Sequence, residues 1–388
     1  MNDQYDIAVI GGGIHGVGVS QAAAAAGYSV LLIERHALAA GTSSRSSKLI
    51  HGGLRYLESG QFGLVRESLR ERDLLLRIAP ELVRLAAFHI PIYTDTTRGS
   101  WTMRAGLSLY ALLGGLKDHA RFQSLPRAQW SRLDGLDTRR LQSVFRYWDG
   151  QTDDAALTRA VWRSAEGLGA ELACPATFLS AERVIDGYQL RYAAAGREAE
   201  CRAVALVNAA GPWANAVLAA ITPSPAALAV ELVQGAHVVF PGALEHGIYF
   251  VEAPRGRRAV LVMPWQGNIL VGTTEHSYRG DPDAAQATTA EIEYLRETFL
   301  HYFPNRPAHI LSSFCGLRVL PAATQSIFHR SRETLLSADA APPSLVTIVG
   351  GKLSGYRVTG AKVIELLRPV LPVRAVRADT ARLVLSTQ

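Results

Sequence analysis

Residues 5–34 read as one strand–turn–helix–strand unit, and the glycine spacing inside it leaves few choices of fold. Asp6-Ile7-Ala8-Val9-Ile10 is a short apolar run of buried-strand type. Gly11-Gly12-Gly13-Ile14-His15-Gly16 follows with the G-x-G-x-x-G spacing, and an alanine-rich helical stretch leads to Gly27. A second strand, 29–33, ends at Glu34. Each glycine has a physical reason: Gly11 permits a tight turn, Gly13 lets backbone approach a pyrophosphate, and Gly16 lets helix and strand pack closely. The helix start, at Ile14 and His15, offers N–H groups and partial positive charge to the phosphates. Glu34 is placed to accept from a ribose 2′-OH and disfavours a 2′-phosphate, which argues against NADP. Strand, helix, second strand and terminal acid agree with one another, against the alternative of a glycine-rich turn without a ligand.

At 388 residues the chain exceeds what one core usually supports, so two domains are expected. Net charge is +6 and the pI about 9.3, which suits an anionic substrate, an anionic membrane surface or nucleic acid. Neither zinc-finger spacing nor a long basic run speaks for nucleic acid, which is excluded as a partner. Cys174, Cys201 and Cys315 are few, odd in number and far apart, so neither a disulfide framework nor a metal site is expected. The first strand lies close to Met1, and no apolar run reaches the roughly 18 residues needed to span a bilayer. The expectation is a cytoplasmic protein, with the apolar segment 105–116 as a candidate for peripheral contact at the inner membrane face.

The coarse element pattern predicts a helix over 62–84, a returning helix near 158–169 and strands near 177–179, 188–193 and 203–208. Ala209-Ala210-Gly211-Pro212-Trp213 then lets backbone approach a ligand and opens a helix at Pro212. Strand-like stretches alternate with turns over 230–274, and a helix is expected over 291–303. A last strand, 345–349, runs into Gly350-Gly351-Lys352-Leu353 and a helix to about Leu367. The chain thus leaves the nucleotide domain and returns to it. The reading is an α/β Rossmann-like domain (1–85, 151–225 and 315–388) with an inserted α+β substrate domain (86–150 and 226–314).

The loop 41–58 is too polar and glycine-rich for a core. GGGIHGVG, TSS-SSKLIHGGLRYLE, NAAGPWA, QGAHVVF, VMPW, VGTTE, GLRVLP and GGKLSGYR occur in that order along the chain. Together they resemble the FAD-dependent glycerol-3-phosphate dehydrogenase family, within the D-amino-acid-oxidase-like flavoproteins. The resemblance implies FAD in an extended pose. Gly11, Gly13 and Gly16 would hold the pyrophosphate, with Ile14 and His15 beside it, and Glu34 the adenosine ribose. Thr42, Ser43, Ser44, Lys48, Leu49, His51 and Gly53 would line the ribityl chain and ring, though simple turn chemistry also explains the serines. Ala210 and Gly211 would flank the cofactor, and Gly351, Lys352 and Leu353 would sit at the flavin pyrimidine end.

The same resemblance places Arg55, Tyr56, His237, Arg318, Arg332 and Lys352 around the substrate. Arginine forks suit a phosphate dianion. His237 is expected as general base, since imidazole titrates near neutrality, with a structural histidine between strands as the alternative. Arg318 is expected to stabilise the developing oxygen charge; Arg55, Arg332 and Lys352 take the phosphate, with a surface role as the alternative for Arg332. The resemblance implies oxidation of sn-glycerol 3-phosphate, or a related polyol phosphate, to the ketone by hydride transfer to flavin N5, with quinone or oxygen as acceptor and room for oligomer formation. Two rivals remain: a superfamily member acting on a hydroxy acid or amine, and a non-catalytic FAD-binding redox protein. The pattern departs from the family at the C-terminus, where the usual helical domain is lacking, and at Ser354-Gly355, which replaces a threonine pair and removes a side chain expected near the flavin.

Overall fold

The computed structural model describes residues 2–322 and 333–387, in which the strands form two sheets, one of nine strands and one of ten. The first sheet is built on strand Gln4–Ile10, whose residues are buried from Tyr5 onward. It pairs in parallel with Val30–Ile33 on one side and with Arg197–Asn208 on the other, Ile10 lying level with Ile33 and Asn208. Strand Leu345–Val349 adds in parallel beyond Asn208, and Glu171–Ala173 beyond Ile33. Parallel strands covered on both faces read as continuous apolar runs, and Val30–Ile33 and Leu345–Val349 are buried at every position. An antiparallel extension, Ala176–Val184 with Gly187–Ala194, pairs onto the start of Arg197–Asn208.

Helices Ile14–Ala25, Asp154–Gly167 and Tyr356–Leu367 cover one face of this sheet. Ile7 and Val9 beneath them are fully buried, and burial of such a side chain contributes about 1.5–3 kcal/mol. The chirality of the crossover follows from the twist of the strands. The turn between Ile10 and the first helix is tight enough that only glycine fits: Gly11 has φ +106°, and a Cβ at Gly16 would stand 1.8 Å from the Gly11 carbonyl oxygen.

The second sheet runs from His276–Tyr278 through Val230–Phe240, Asn268–Gly272, Ala259–Trp265, Ile248–Glu252, Val83–Tyr93 and Leu141–Thr152 to Leu49–Ile50. Strand Ser312–Pro321 pairs antiparallel with Val230–Phe240 over its whole length, Arg318 opposite Val233. That strand crosses residue 315, and Leu49–Ile50 belongs to the second sheet too, so the sheets interleave more than the sequence boundaries suggest. Helix Thr289–Tyr302 starts on a reciprocal Thr288–Glu291 capping box and packs Leu295 and Phe299 onto the sheet.

Two elements differ from the sequence expectation. The helix expected over 62–84 stops at Ile78, and Val83 already opens a strand. Ala79 precedes Pro80, and a residue before proline is pushed out of the helical region; its φ is −132°. Residues 105–113 of the apolar segment expected at 105–116 are the C-terminal part of helix Ser100–Leu113, which buries Met103, Leu107 and Tyr110, and residues 114–116 lie just past its end. Among the described residues no helix is long and apolar enough to cross a membrane.

Candidate active site

A cleft of about 980 Å³ lies between the two sheets, the size of a small-molecule or cofactor site. Its floor is the end of the first strand and the start of the first helix: Gly11, Gly13, Ile14 and His15 all line it. Gly16 stands behind them, where the close helix–strand approach requires it. Glu34 lines the same end of the cleft. Its Oε2 accepts the Gly12 N–H at 2.6 Å and its Oε1 the His36 N–H at 2.8 Å. A carboxylate oxygen has two lone pairs, so these bonds fix the group and leave acceptor capacity for a sugar hydroxyl. Ala210, Gly211, Gly351 and Leu353 complete this wall.

The polar loop forms the side of the cleft. Thr42, Ser43, Leu49 and His51 line it. Thr42 Oγ1 donates to the Leu317 carbonyl at 2.7 Å, which ties the loop to the second sheet. Ser43 Oγ accepts the Ile14 N–H at 2.9 Å and so caps the helix start. The donor set and the glycine cradle fit an extended dinucleotide. In such a pose Gly11, Gly13 and Ser43 would hold the pyrophosphate region, Glu34 the ribose, and His51 and Gly351 would stand nearer the ring.

Several expected residues do not reach the cleft. Ser44 and Gly53 shape turns, Ser44 Oγ donating to the Gly41 carbonyl and Gly53 adopting φ +81°. Lys48 is buried and points away, its Nζ 2.7 Å from Asp154 Oδ1 and 2.5 Å from the Ser44 carbonyl. Asp154 also accepts from Ser46 N and Oγ, at 3.0 and 2.6 Å. Lys48 is thus the cation of a buried pair that shapes the loop. Gly355 lies on a second, smaller cavity beside Thr359 and Lys352, and a Cβ there would meet nothing within 4 Å. The side chain missing from the motif therefore opens that cavity and leaves the main cleft unchanged.

At the far end of the cleft Tyr56, Arg318 and Lys352 line one wall. Lys352 Nζ stands 3.9 Å from the Tyr56 ring centre and 3.0 Å from Ser68 Oγ. Arg318 Nη1 is 3.1 Å from Glu275 Oε1, and Arg55 Nη1 is 3.6 Å from Glu275 Oε2. Burial pulls the Arg318 guanidinium down to about 10, with the Arg55 charge adding to the effect. Burial likewise lowers Arg55. Glu275 was not singled out by sequence reasoning, although it ends the VGTTE motif. Trp213 and Arg35 also line the cleft, and the Arg35 guanidinium lies 5.2 Å from the Trp213 ring and 2.6 Å from Asp283. Arg332 lies outside the described residues.

His237 is not on the cleft wall. It sits in a strand buried on both faces, with its ring stacked on Phe314 at 5.0 Å and Nε2 3.0 Å from Ser47 Oγ. Its Nδ1 is buried without a hydrogen-bond partner. Burial, with help from the charges of Arg318 and Lys48, pulls it down to about 3, so it stays neutral at ordinary pH. Burial also brings His15 down to about 4. The ordinary value is 6.5, so the unfolded chain binds protons first as pH falls. The stability tied to these two histidines is complete above pH 6.5 and is lost progressively toward pH 4 and 3. The thermal midpoint is expected to decline through that window, and to decline less steeply in a His15→Gln/His237→Gln variant. Identical slopes in both proteins would show that the rings are not held uncharged by burial.

The family model described as FAD dependent oxidoreductase matches residues 6–359. A glycerol-3-phosphate dehydrogenase of Pseudomonas aeruginosa is 37% identical over 374 residues, covering 94% of this chain and 72% of the relative. A D-erythritol 1-phosphate dehydrogenase of Brucella abortus is 34% identical over 378 residues, covering 95% of this chain and 74% of the relative. In fold, the chain is similar to the glycerol-3-phosphate dehydrogenase of Bacillus halodurans complexed with FAD. The TM-score is 0.77 at 23% identity, over 99% of this chain and 68% of that one. Since the matched span takes in both sheets, the glycine cradle and the arginine wall, the chain belongs to the FAD dependent oxidoreductase family.

Proposed function

We propose that this chain oxidises the secondary alcohol of sn-glycerol 3-phosphate, or of a closely related polyol phosphate, to the ketone. The observation that carries the reading is Arg318 and Lys352 on one end of a cleft whose other end is a dinucleotide cradle, with Arg55 beside Arg318 through Glu275. A phosphate dianion is bound by several cationic donors, whereas the carboxylate of a hydroxy or amino acid is satisfied by one arginine fork. Two of the relatives found are named for polyol phosphates, and they differ in the polyol. This supports phosphate recognition over the amine and hydroxy-acid alternatives. Arg318 and Lys352 on the cleft wall opposite the cradle also weigh against a non-catalytic flavin carrier.

Bound FAD supplies the hydride acceptor. The chain's own part is to hold the phosphate, take the hydroxyl proton and stabilise charge on the reacting oxygen. Arg55 and Lys352 take the phosphate, and Arg318 faces the oxygen. With His237 neutral and off the wall, the imidazole that lines the cleft next to the Arg55–Tyr56 turn is His51. We assign the proton to His51. General-base contributions run to about 10²–10⁴-fold, so His51→Asn is expected to slow flavin reduction by that order while His237→Asn slows it far less. The reverse ranking would return the role to His237.

Electrons leave to a quinone or to oxygen. Trp101 is 84% exposed and Leu112 60% exposed on helix Ser100–Leu113, near Leu116 at 53%. We propose that this face meets an anionic membrane surface, as interfacial helices do. Flotation with liposomes at low salt is expected to carry the protein up, and Trp101→Ser/Leu112→Ser to abolish it. No lipid dependence would leave the helix as a packed element only. The substrate reading itself is tested by anaerobic titration of the yellow holoprotein with polyol phosphates, hydroxy acids and amino acids. Bleaching by the phosphates alone is expected; bleaching by another class overturns it.

A further inference from the structure

We propose that Glu275 is a positioning residue: its carboxylate fixes Arg55 and Arg318 relative to each other and sets the net charge a substrate meets. The proposal rests on the phosphate reading above. Three separate parts of the chain converge here. Arg55 lies in the short turn Leu54–Leu57, Arg318 in strand Ser312–Pro321, and Glu275 between strands Asn268–Gly272 and His276–Tyr278. Glu275 comes from an anchored segment. Thr274 Oγ1 donates to Glu291 Oε1 at 2.6 Å and accepts the Ala236 N–H at 2.8 Å, and the Glu275 carbonyl accepts from Arg258. The Glu275 side chain is only 6% exposed, so its charge is little screened by water.

The Glu275 carboxylate turns Oε1 toward Arg318 and Oε2 toward Arg55. Two guanidiniums brought together in a half-buried wall repel, and the Arg55 charge is one cause of the lowered Arg318 value. A carboxylate between them offsets that repulsion and fixes the direction of both forks. It also trims the charge. Glu275 removes one of the positive charges that Arg55, Arg318 and Lys352 bring among the described residues, which lowers the positive potential an anion meets. Glu275 thus combines alignment with charge trimming, and these two effects can be separated by substitution.

Glu275→Gln keeps the shape, removes the negative charge and turns an amide donor toward one arginine. Loss of a negative charge favours any anion, so inorganic phosphate, assayed as a competitive inhibitor on the FAD-loaded enzyme, is expected to bind about three- to tenfold more tightly. Loss of alignment is expected to slow flavin reduction at saturating glycerol 3-phosphate by roughly tenfold or more. Opposite movement of affinity and rate is the signature, since a merely structural role lowers both together and strips flavin. Glu275→Asp keeps the charge but reaches less far. It should bind phosphate like the parent and reduce at an intermediate rate, and it serves as the test if the glutamine variant does not hold FAD. An unchanged saturating rate in either flavin-loaded variant overturns the proposal. If no polyol phosphate bleaches the parent enzyme, the substrate reading fails by itself. Phosphate affinity, read from perturbation of the flavin spectrum, then decides for Glu275, and equal affinity in parent and Glu275→Gln sinks it.

Discussion

Asp154→Ala is expected to destabilise the fold by about 3–5 kcal/mol and to leave the protein with little flavin. Asp154 is fully buried and Lys48 nearly so. Without the carboxylate, the Lys48 ammonium keeps only the Ser44 carbonyl among its hydrogen-bond partners, and a buried charge that loses its counter-ion bears most of its desolvation cost. The damage extends to the site, because the same carboxylate holds Ser46 by two bonds. The loop then loses the shape that sets Ser43 against the Ile14 N–H. Urea unfolding gives the energy and the ratio of 450 to 280 nm absorbance gives flavin content. Asp154→Asn should retain part of both. A fully yellow Asp154→Ala protein with an unchanged midpoint would show that the pair is dispensable.

Arg318→Ala is expected to lower the second-order rate of flavin reduction by glycerol 3-phosphate several-hundred-fold, about 3–4 kcal/mol. The side chain is about one-quarter exposed at the cleft wall, so its charge acts in a partly desolvated place. Its removal takes one guanidinium from the Glu275 carboxylate and makes the wall less attractive to an anion. The loss should appear in the limiting rate at saturating substrate, because charge on the reacting oxygen grows as the hydride leaves. Arg55→Ala should instead weaken binding more than it slows the limiting rate. Both variants should keep FAD, as neither residue touches the glycine cradle. Stopped-flow reduction separates the two quantities, and near-parent kinetics in flavin-loaded Arg318→Ala would remove that residue from the site.

The cradle was legible because its information is local. Spacing from Gly11 to Gly16 and the position of Glu34 are fixed by one turn, one helix and one strand, and the structure keeps them as the sequence implies. Tyr56, Arg318 and Lys352 reached the cleft wall through motif context. Lys48 and His237 did not, for different reasons. A lysine in a polar loop reads as a ligand until a distant acid, here 106 positions away, is seen to bury it. A histidine in an apolar strand gives no sign of which strands will cover it, and His237 is covered on both faces. Glu275 was missed because its meaning lies in two arginines from other segments, a relation that no local pattern records. Pro80, by contrast, was a readable stop signal for the helix over 62–78 and outweighs the leucine periodicity that continues past it.

The order of strands in the first sheet has a consequence for how the protein is made. The first half of strand Arg197–Asn208 is flanked by Gly187–Ala194, but its last residues, Leu206, Val207 and Asn208, gain a partner on that edge only once Leu345–Val349 has paired with them. Until the ribosome has released that late segment, the nascent chain presents a bare apolar edge, and such edges recruit other chains. At synthesis rates of about 5–20 residues per second, the interval between the two strands lasts roughly ten to thirty seconds. The cleft inherits the same timing, because Gly11 and Gly351, far apart in sequence, line it together. Cofactor capture therefore waits until strand Leu345–Val349 and Gly351 have emerged, and chaperone demand is highest in the long stage before that.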